Sequence, residues 1–153
     1  MTHEAPAKNT DRYWEEIEVG ETWTETDART VTEADIVNFA GVIDDFHPIH
    51  LSEKFARERT MFEGRIAHGN FIAAVSEAII LEENDHSFSY GHDNVRFVKP
   101  VYVGDTISVS REVIDKEEHD AEYGKVVYRY ETTNQDGETV CVNDHTMIVE
   151  RAP

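Results

Sequence analysis

The stretch from Ile66 to Leu81 constrains the fold more than any other part of the chain. Phe71, Ile72, Ala73, Ala74, Val75, Ala78, Ile79, Ile80 and Leu81 leave it almost no polar face. A helix this apolar on nearly every side must be covered by other elements. Sixteen residues at about 1.5 Å each make a rod of roughly 24 Å, about the width of a small domain. Its alanines let a flat surface approach closely, and the later sequence supplies one. Val95 to Val98, Thr106 to Ile114, Lys125 to Thr133 and Val140 to Val149 are β-branched or aromatic with partial alternation, the mark of strands. Gly104-Asp105 and Asn134-Gln135-Asp136-Gly137 mark turns between them. Helices first and antiparallel strands later give an α+β class, with a sheet wrapped around a long central helix.

Residues 1–11 read as a flexible N-terminal arm, and 12–153 as a single domain, a length able to bury a real core. Trp14 to Thr30 is strand-like but charged, with a turn at Gly20. Thr32-Glu33-Ala34-Asp35 has the form of a helix cap, a hydroxyl followed three residues later by an acid. Ile36, Phe39, Ala40 and Ile43 then share one helical face, and Ser52 caps a second short helix through about Arg59.

Charge and cysteine usage exclude several roles. Thirty-two acidic residues against 14 basic ones give a formal net charge of −18, which repels nucleic acid and anionic membranes. The acids are dispersed as on a solvated surface, and self-repulsion of this kind is screened where the Debye length falls to about 3 Å near 1 M salt. A salt-rich (halophilic) cytoplasm is therefore the expected setting, with an acidic protein from an ordinary cell as the alternative. No apolar run approaches the roughly 20 residues of a membrane span, and the polar start, with His3, Glu4 and Lys8, does not resemble a secretory signal. The lone Cys141 rules out an internal disulfide and reads as a small strand residue.

Two segments carry chemistry. Asp44-Asp45-Phe46-His47-Pro48-Ile49-His50 sets a carboxylate and an imidazole five residues apart around a proline. Gly64-Arg65-Ile66-Ala67-His68-Gly69 opens the apolar helix with a His-Gly pair. A carboxylate and a histidine move protons near neutral pH, and a helix start offers free N–H groups to a substrate oxygen. Taken singly, Asp45 also suits a turn cap, and His50 a half-buried histidine.

These segments resemble the MaoC-like dehydratases, the hot-dog-fold family that includes the (R)-specific enoyl-CoA hydratases. Three blocks carry the resemblance: Asp45-Phe46-His47-Pro48-Ile49-His50, Phe62-Glu63-Gly64-Arg65-Ile66-Ala67-His68-Gly69, and Phe97-Val98-Lys99-Pro100-Val101-Tyr102-Val103-Gly104-Asp105. The similarity extends from about Glu16 to Val149. It implies reversible hydration of a trans-2-enoyl thioester, with Asp45 and His50 as the catalytic pair and Gly69 presenting its N–H to the thioester carbonyl. It further implies an acyl-CoA substrate, a homodimer or larger homo-oligomer, and no cofactor or metal beyond the coenzyme A of the substrate.

The chemistry is consistent with that implication. Hydration needs a base for the attacking water, a proton for C2 and a donor for the enolate oxygen, and the positive end of a helix supplies such a donor. Asp44 stands where many relatives carry glycine, Asn70 where methionine is common, and Glu77 where some have serine; an inward charge at Glu77 would disfavour long apolar chains unless paired. His68 reads as structural, and Phe97, Tyr128 and Tyr130 as packing. Arg65, Arg96 and Lys99 suit either coenzyme A phosphates or local salt bridges. A hot-dog acyl-CoA thioesterase, a non-catalytic acyl-thioester-binding subunit, and zinc held by Asp45, His47 and His50 are the rival readings.

Overall fold

A computed structural model describes residues 9–153. The expected arm therefore falls mostly outside the described residues. Its last part, Asn9–Thr10, forms strand β1. After a single 3-10 turn at Trp14–Glu16 come β2 (Thr22–Thr30), α1 (Glu33–Ile43), α2 (Pro48–Leu51), α3 (Glu53–Arg59) and α4 (Gly69–Ile80). The remaining elements are strands: β3 (Glu83–Asn84), β4 (Ser87–Phe97), β5 (Thr106–Glu118), β6 (Tyr123–Thr133) and β7 (Thr139–Glu150). Five strands form one antiparallel sheet in the order β2-β5-β6-β7-β4, and β1 pairs parallel with β3. The class is the expected α+β, with the sheet curled over α4.

Local chemistry explains the helix starts. The Thr32 hydroxyl accepts from Asp35 N–H while the Asp35 carboxylate accepts from Thr32 N–H, a reciprocal capping box that opens α1. Ser52 accepts from Phe55 N–H and opens α3. Between them, Pro48 sits at the first position of α2, where its missing N–H costs nothing.

The core lies between α4 and the concave face of the sheet. Ile72, Val75 and Ile80 pack there against alternate residues of the strands, such as Ile107, Val109, Val126 and Val140. At one end a buried ion pair is enclosed. Arg111 donates to Glu82 at 3.0 Å, and its guanidinium lies 4.1 Å from the Trp23 ring and 4.7 Å from Tyr128.

Three expectations need correction. The central helix begins at Gly69, not Ile66, because Ile66 bridges to Tyr102 and Ala67 N–H is committed to the Val101 carbonyl. Nor is it buried all round. Ile72, Val75, Ser76 and Ile80 are covered, but Ala74 and Ala78 on the opposite side are exposed, because the sheet covers one face of the helix only. The edge strand β4 also starts well before Val95, and it leaves Phe88, Tyr90 and Phe97 exposed.

Candidate active site

The end of α1 sets up the site. Asp44 caps the helix in the left-handed region, with φ 57°. Glycine accepts that conformation freely and aspartate tolerates it, which accounts for the glycine implied at this position in relatives. The Asp44 side chain is exposed, so the proposed base does not gain a second carboxylate beside it. Asp45 follows, its N–H bonded to the Ala40 carbonyl and one carboxylate oxygen accepting from His47 N–H.

One turn of α2 then carries His50 back toward Asp45. His50 Nε2 lies 3.7 Å from Asp45 Oδ2, and His50 Nδ1 is 2.8 Å from the Ile66 carbonyl. A carbonyl only accepts, so Nδ1 carries the proton and Nε2 faces the carboxylate as a bare lone pair. Burial holds the His50 pKa below its usual 6.5, despite the Ile66 hydrogen bond, which favours the charged form, so the ring is neutral at pH 7. Two acceptors at this separation suit one water donating to each, with its own lone pairs left free.

His68 completes the group. Its ring stacks on His50 with centroids 3.7 Å apart, and its Nε2 donates to the Asp45 backbone carbonyl at 3.2 Å. It therefore ties the α1 end to the α4 start and fixes the plane of the His50 ring. The sequence did not reveal this stack. Asp45, His50 and His68 also bring ligating atoms within 4.8 Å of one another, so any metal here would use His68, not His47. His47 instead turns away, accepting Ile49 N–H on its Nδ1 and meeting Phe55 edge-on.

Gly69 begins α4 with no side-chain cap, and among the described residues its N–H donates to nothing. A cavity of about 260 Å³ reaches from His50 to Gly69 and continues between Ile72, Phe97, Val101 and Val140. Of the three residues expected to act together, His50 and Gly69 thus border one apolar chamber, and Asp45 stands beside His50 without lining it. Phe97 is more than packing: half exposed, it covers the Gly69 backbone so closely that any β-carbon there would lie 2.5 Å from its ring. Tyr128 and Tyr130 are core residues. Cys141 also lines the cavity, but burial pushes its thiol up to about 11, so it stays protonated and unreactive.

The cations have local partners: Arg65 bonds Glu33 and Glu53, Lys99 bonds Glu138, and Arg96 donates to the neighbouring Val95 carbonyl. Glu77 is paired as well, with His92, His145 and Asn143, and it faces away from this cavity.

Comparison with known proteins shows the family of the chain. Residues 16–135 match the family model described as the MaoC like domain. A 3-hydroxybutyryl-CoA dehydratase of Methylorubrum extorquens is 38% identical over 104 residues, 67% of this chain and 64% of that protein. An (R)-specific enoyl-CoA hydratase of Rhodospirillum rubrum is 33% identical over 99 residues, 64% of this chain and 67% of that one. The chain thus spans about two thirds or less of these curated relatives. Among solved structures, a monoamine oxidase regulatory protein of Archaeoglobus fulgidus superposes with a TM-score of 0.88 at 35% identity, covering 96% of this chain and 99% of that one.

Proposed function

The chain belongs to the MaoC-like domain family, and on that premise we propose that it hydrates short trans-2-enoyl-CoA thioesters to (R)-3-hydroxyacyl-CoA, with dehydration as the reverse reaction. The observation that carries this reading is the 3.7 Å separation of Asp45 Oδ2 and His50 Nε2, with His50 and the uncommitted Gly69 N–H bordering one cavity.

A water in that gap donates to both acceptors and turns a lone pair toward C3 of the enoyl group. Asp45 takes one proton as the oxygen adds, while neutral His50 keeps the water oriented. Electron density moves to the thioester oxygen, where the Gly69 N–H, at the positive end of α4, stabilises the enolate. Asp45 then returns the proton it took to C2, which completes the addition of water and leaves the carboxylate ionised. The only nucleotide needed is the coenzyme A of the substrate itself.

A cavity of about 260 Å³ lies below the roughly 300 Å³ at which drug-sized pockets begin, which favours a short acyl chain. The exposed edge of β4 and the small exposed residues of α4 support pairing of two copies along that side. The −18 charge supports a salt-rich cytoplasmic setting.

The test is a hydration assay on butenoyl-, hexenoyl- and octenoyl-CoA in molar salt, following loss of enoyl absorbance together with free thiol. Hydration fastest on the butenoyl substrate without thiol release is expected. Thiol release without hydration would transfer the chain to the thioesterases, and binding without turnover would make it a carrier subunit.

A further inference from the structure

His68 stands beside the water site without entering it. It is 3% exposed and does not border the apolar chamber. The chain fixes its place: it is the residue before Gly69, and its carbonyl accepts N–H bonds from Phe71 and Ile72 in the first turn of α4. Its ring stacks on His50 with planes 21° from parallel, and Phe39 of α1 meets it edge-on with centroids 5.2 Å apart.

The two nitrogens of this ring differ. Nε2 is 3.2 Å from the Asp45 carbonyl and 3.8 Å from the Asp45 carboxylate, and a carbonyl only accepts, so Nε2 holds the proton. Nδ1 is buried with no hydrogen-bond partner. A buried nitrogen left unpaired gives up its hydration without return, and a single neutral N–H···O bond offsets only part of that loss. Stability alone would therefore favour an apolar ring at this position. What an apolar ring cannot supply is the donor to Asp45.

That bond completes the anchoring of Asp45. The Ala40 carbonyl holds its N–H, His47 N–H holds its Oδ1, and His68 holds its carbonyl. His50 has a matching need. The Ile66 carbonyl holds Nδ1 alone, which leaves the ring free to tilt about that bond, and the stacked His68 ring stops the tilt. One side chain thus aims both acceptors of the attacking water, Asp45 Oδ2 and His50 Nε2. Resting on the hydratase reading above, we propose that His68 is a positioning residue of the hydration reaction. Its N–H aims the Asp45 carboxylate through the backbone and its ring aims His50, while it neither touches substrate nor carries the transferred proton.

Two substitutions separate the two contributions. His68→Phe keeps a ring to stack and loses the donor; His68→Gln keeps an N–H at the reach of Nε2 and loses the ring. A misplacement of about 1 Å costs roughly 100-fold in rate, so His68→Phe is expected to lose about 100-fold in kcat for butenoyl-CoA. Its KM and thermal midpoint are expected to stay near the parent's. His68→Gln is expected to recover about tenfold of that loss, since its amide again pins Asp45. Burial, then the imidazoles of His68 and His47, hold the His50 pKa below 6.5 against the Ile66 bond and the Asp45 carboxylate. Removing the His68 imidazole is therefore expected to move the acid limb of kcat/KM upward in both variants, which a loss of packing alone would not do. In an Asp45→Asn background, His68→Phe is expected to cost about threefold or less, because the group it aims no longer takes a proton. Parental kcat in folded His68→Phe overturns the proposal, as does an acid limb of His68→Gln at the parental position. A full further loss in the double variant overturns it too, since the residue would then act independently of Asp45. Absence of hydration in the parent itself is a different result: it removes the hydratase reading, and the positioning role with it.

Discussion

Replacing Gly69 by alanine separates the roles of this residue. The added β-carbon would lie 2.5 Å from two carbons of the Phe97 ring, where ordinary contact begins at 3.4 Å. Ring and helix start must therefore part by about 0.9 Å, and a misplacement of about 1 Å can cost roughly 100-fold in rate. Stability should respond far less. Overpacking costs about 1–3 kcal/mol, but alanine gains about 0.5–1 kcal/mol over glycine in a helix, and the half-exposed Phe97 ring is free to give. The expected outcome is a loss of about 100-fold in kcat/KM for butenoyl-CoA hydration, with a urea midpoint close to the parent's. Gly69→Ala combined with Phe97→Ala removes the obstruction and should recover part of the loss, as coupled neighbours do. A folded Gly69→Ala protein with parental kcat/KM would refute the close approach of substrate to the Gly69 backbone.

Further expectations concern His50, the buried ion pair and the surface charge. Because burial lowers the His50 pKa, kcat/KM should fall on the acid side with an apparent pKa below 6.5, and a limb at or above 6.5 would contradict a neutral His50. The same depression means the unfolded chain binds more protons just below pH 6.5, so this group's contribution to stability rises with pH through that window and is lost in acid, measurable as urea midpoints against pH. Arg111→Met leaves Glu82 buried; breaking such a pair costs about 3–5 kcal/mol, and Arg12 at 3.5 Å should keep the loss near the lower end in urea unfolding. Raising salt from 0.1 to 1 M should raise the urea midpoint, and indifference to salt would argue against a halophilic setting.

The parts legible in the sequence are those written in local chemistry. Thr32 with Asp35, and Ser52 before α3, announce their helices because a cap needs only residues within one turn. The Asp45–His50 pair was legible for a similar reason: Pro48 folds five residues into a single short turn. The start of α4 was misjudged because Ile66 and Ala67 are apolar for another purpose, joining the segment at Val101 and Tyr102 instead of extending the helix. The first two thirds of β4 were illegible since an edge strand with most of its side chains in solvent carries no apolar alternation. The His50–His68 stack and the Glu77, His92 and His145 group depend on register between distant segments, which spacing along the chain does not encode.

The most direct measurement is the hydration rate of butenoyl-CoA by Asp45→Asn, a change that keeps the side chain's shape and removes its ability to take a proton. The account predicts a fall of about 100- to 10,000-fold, with the thermal midpoint and circular dichroism of the parent. Hydration at the parental rate by the folded variant would contradict it.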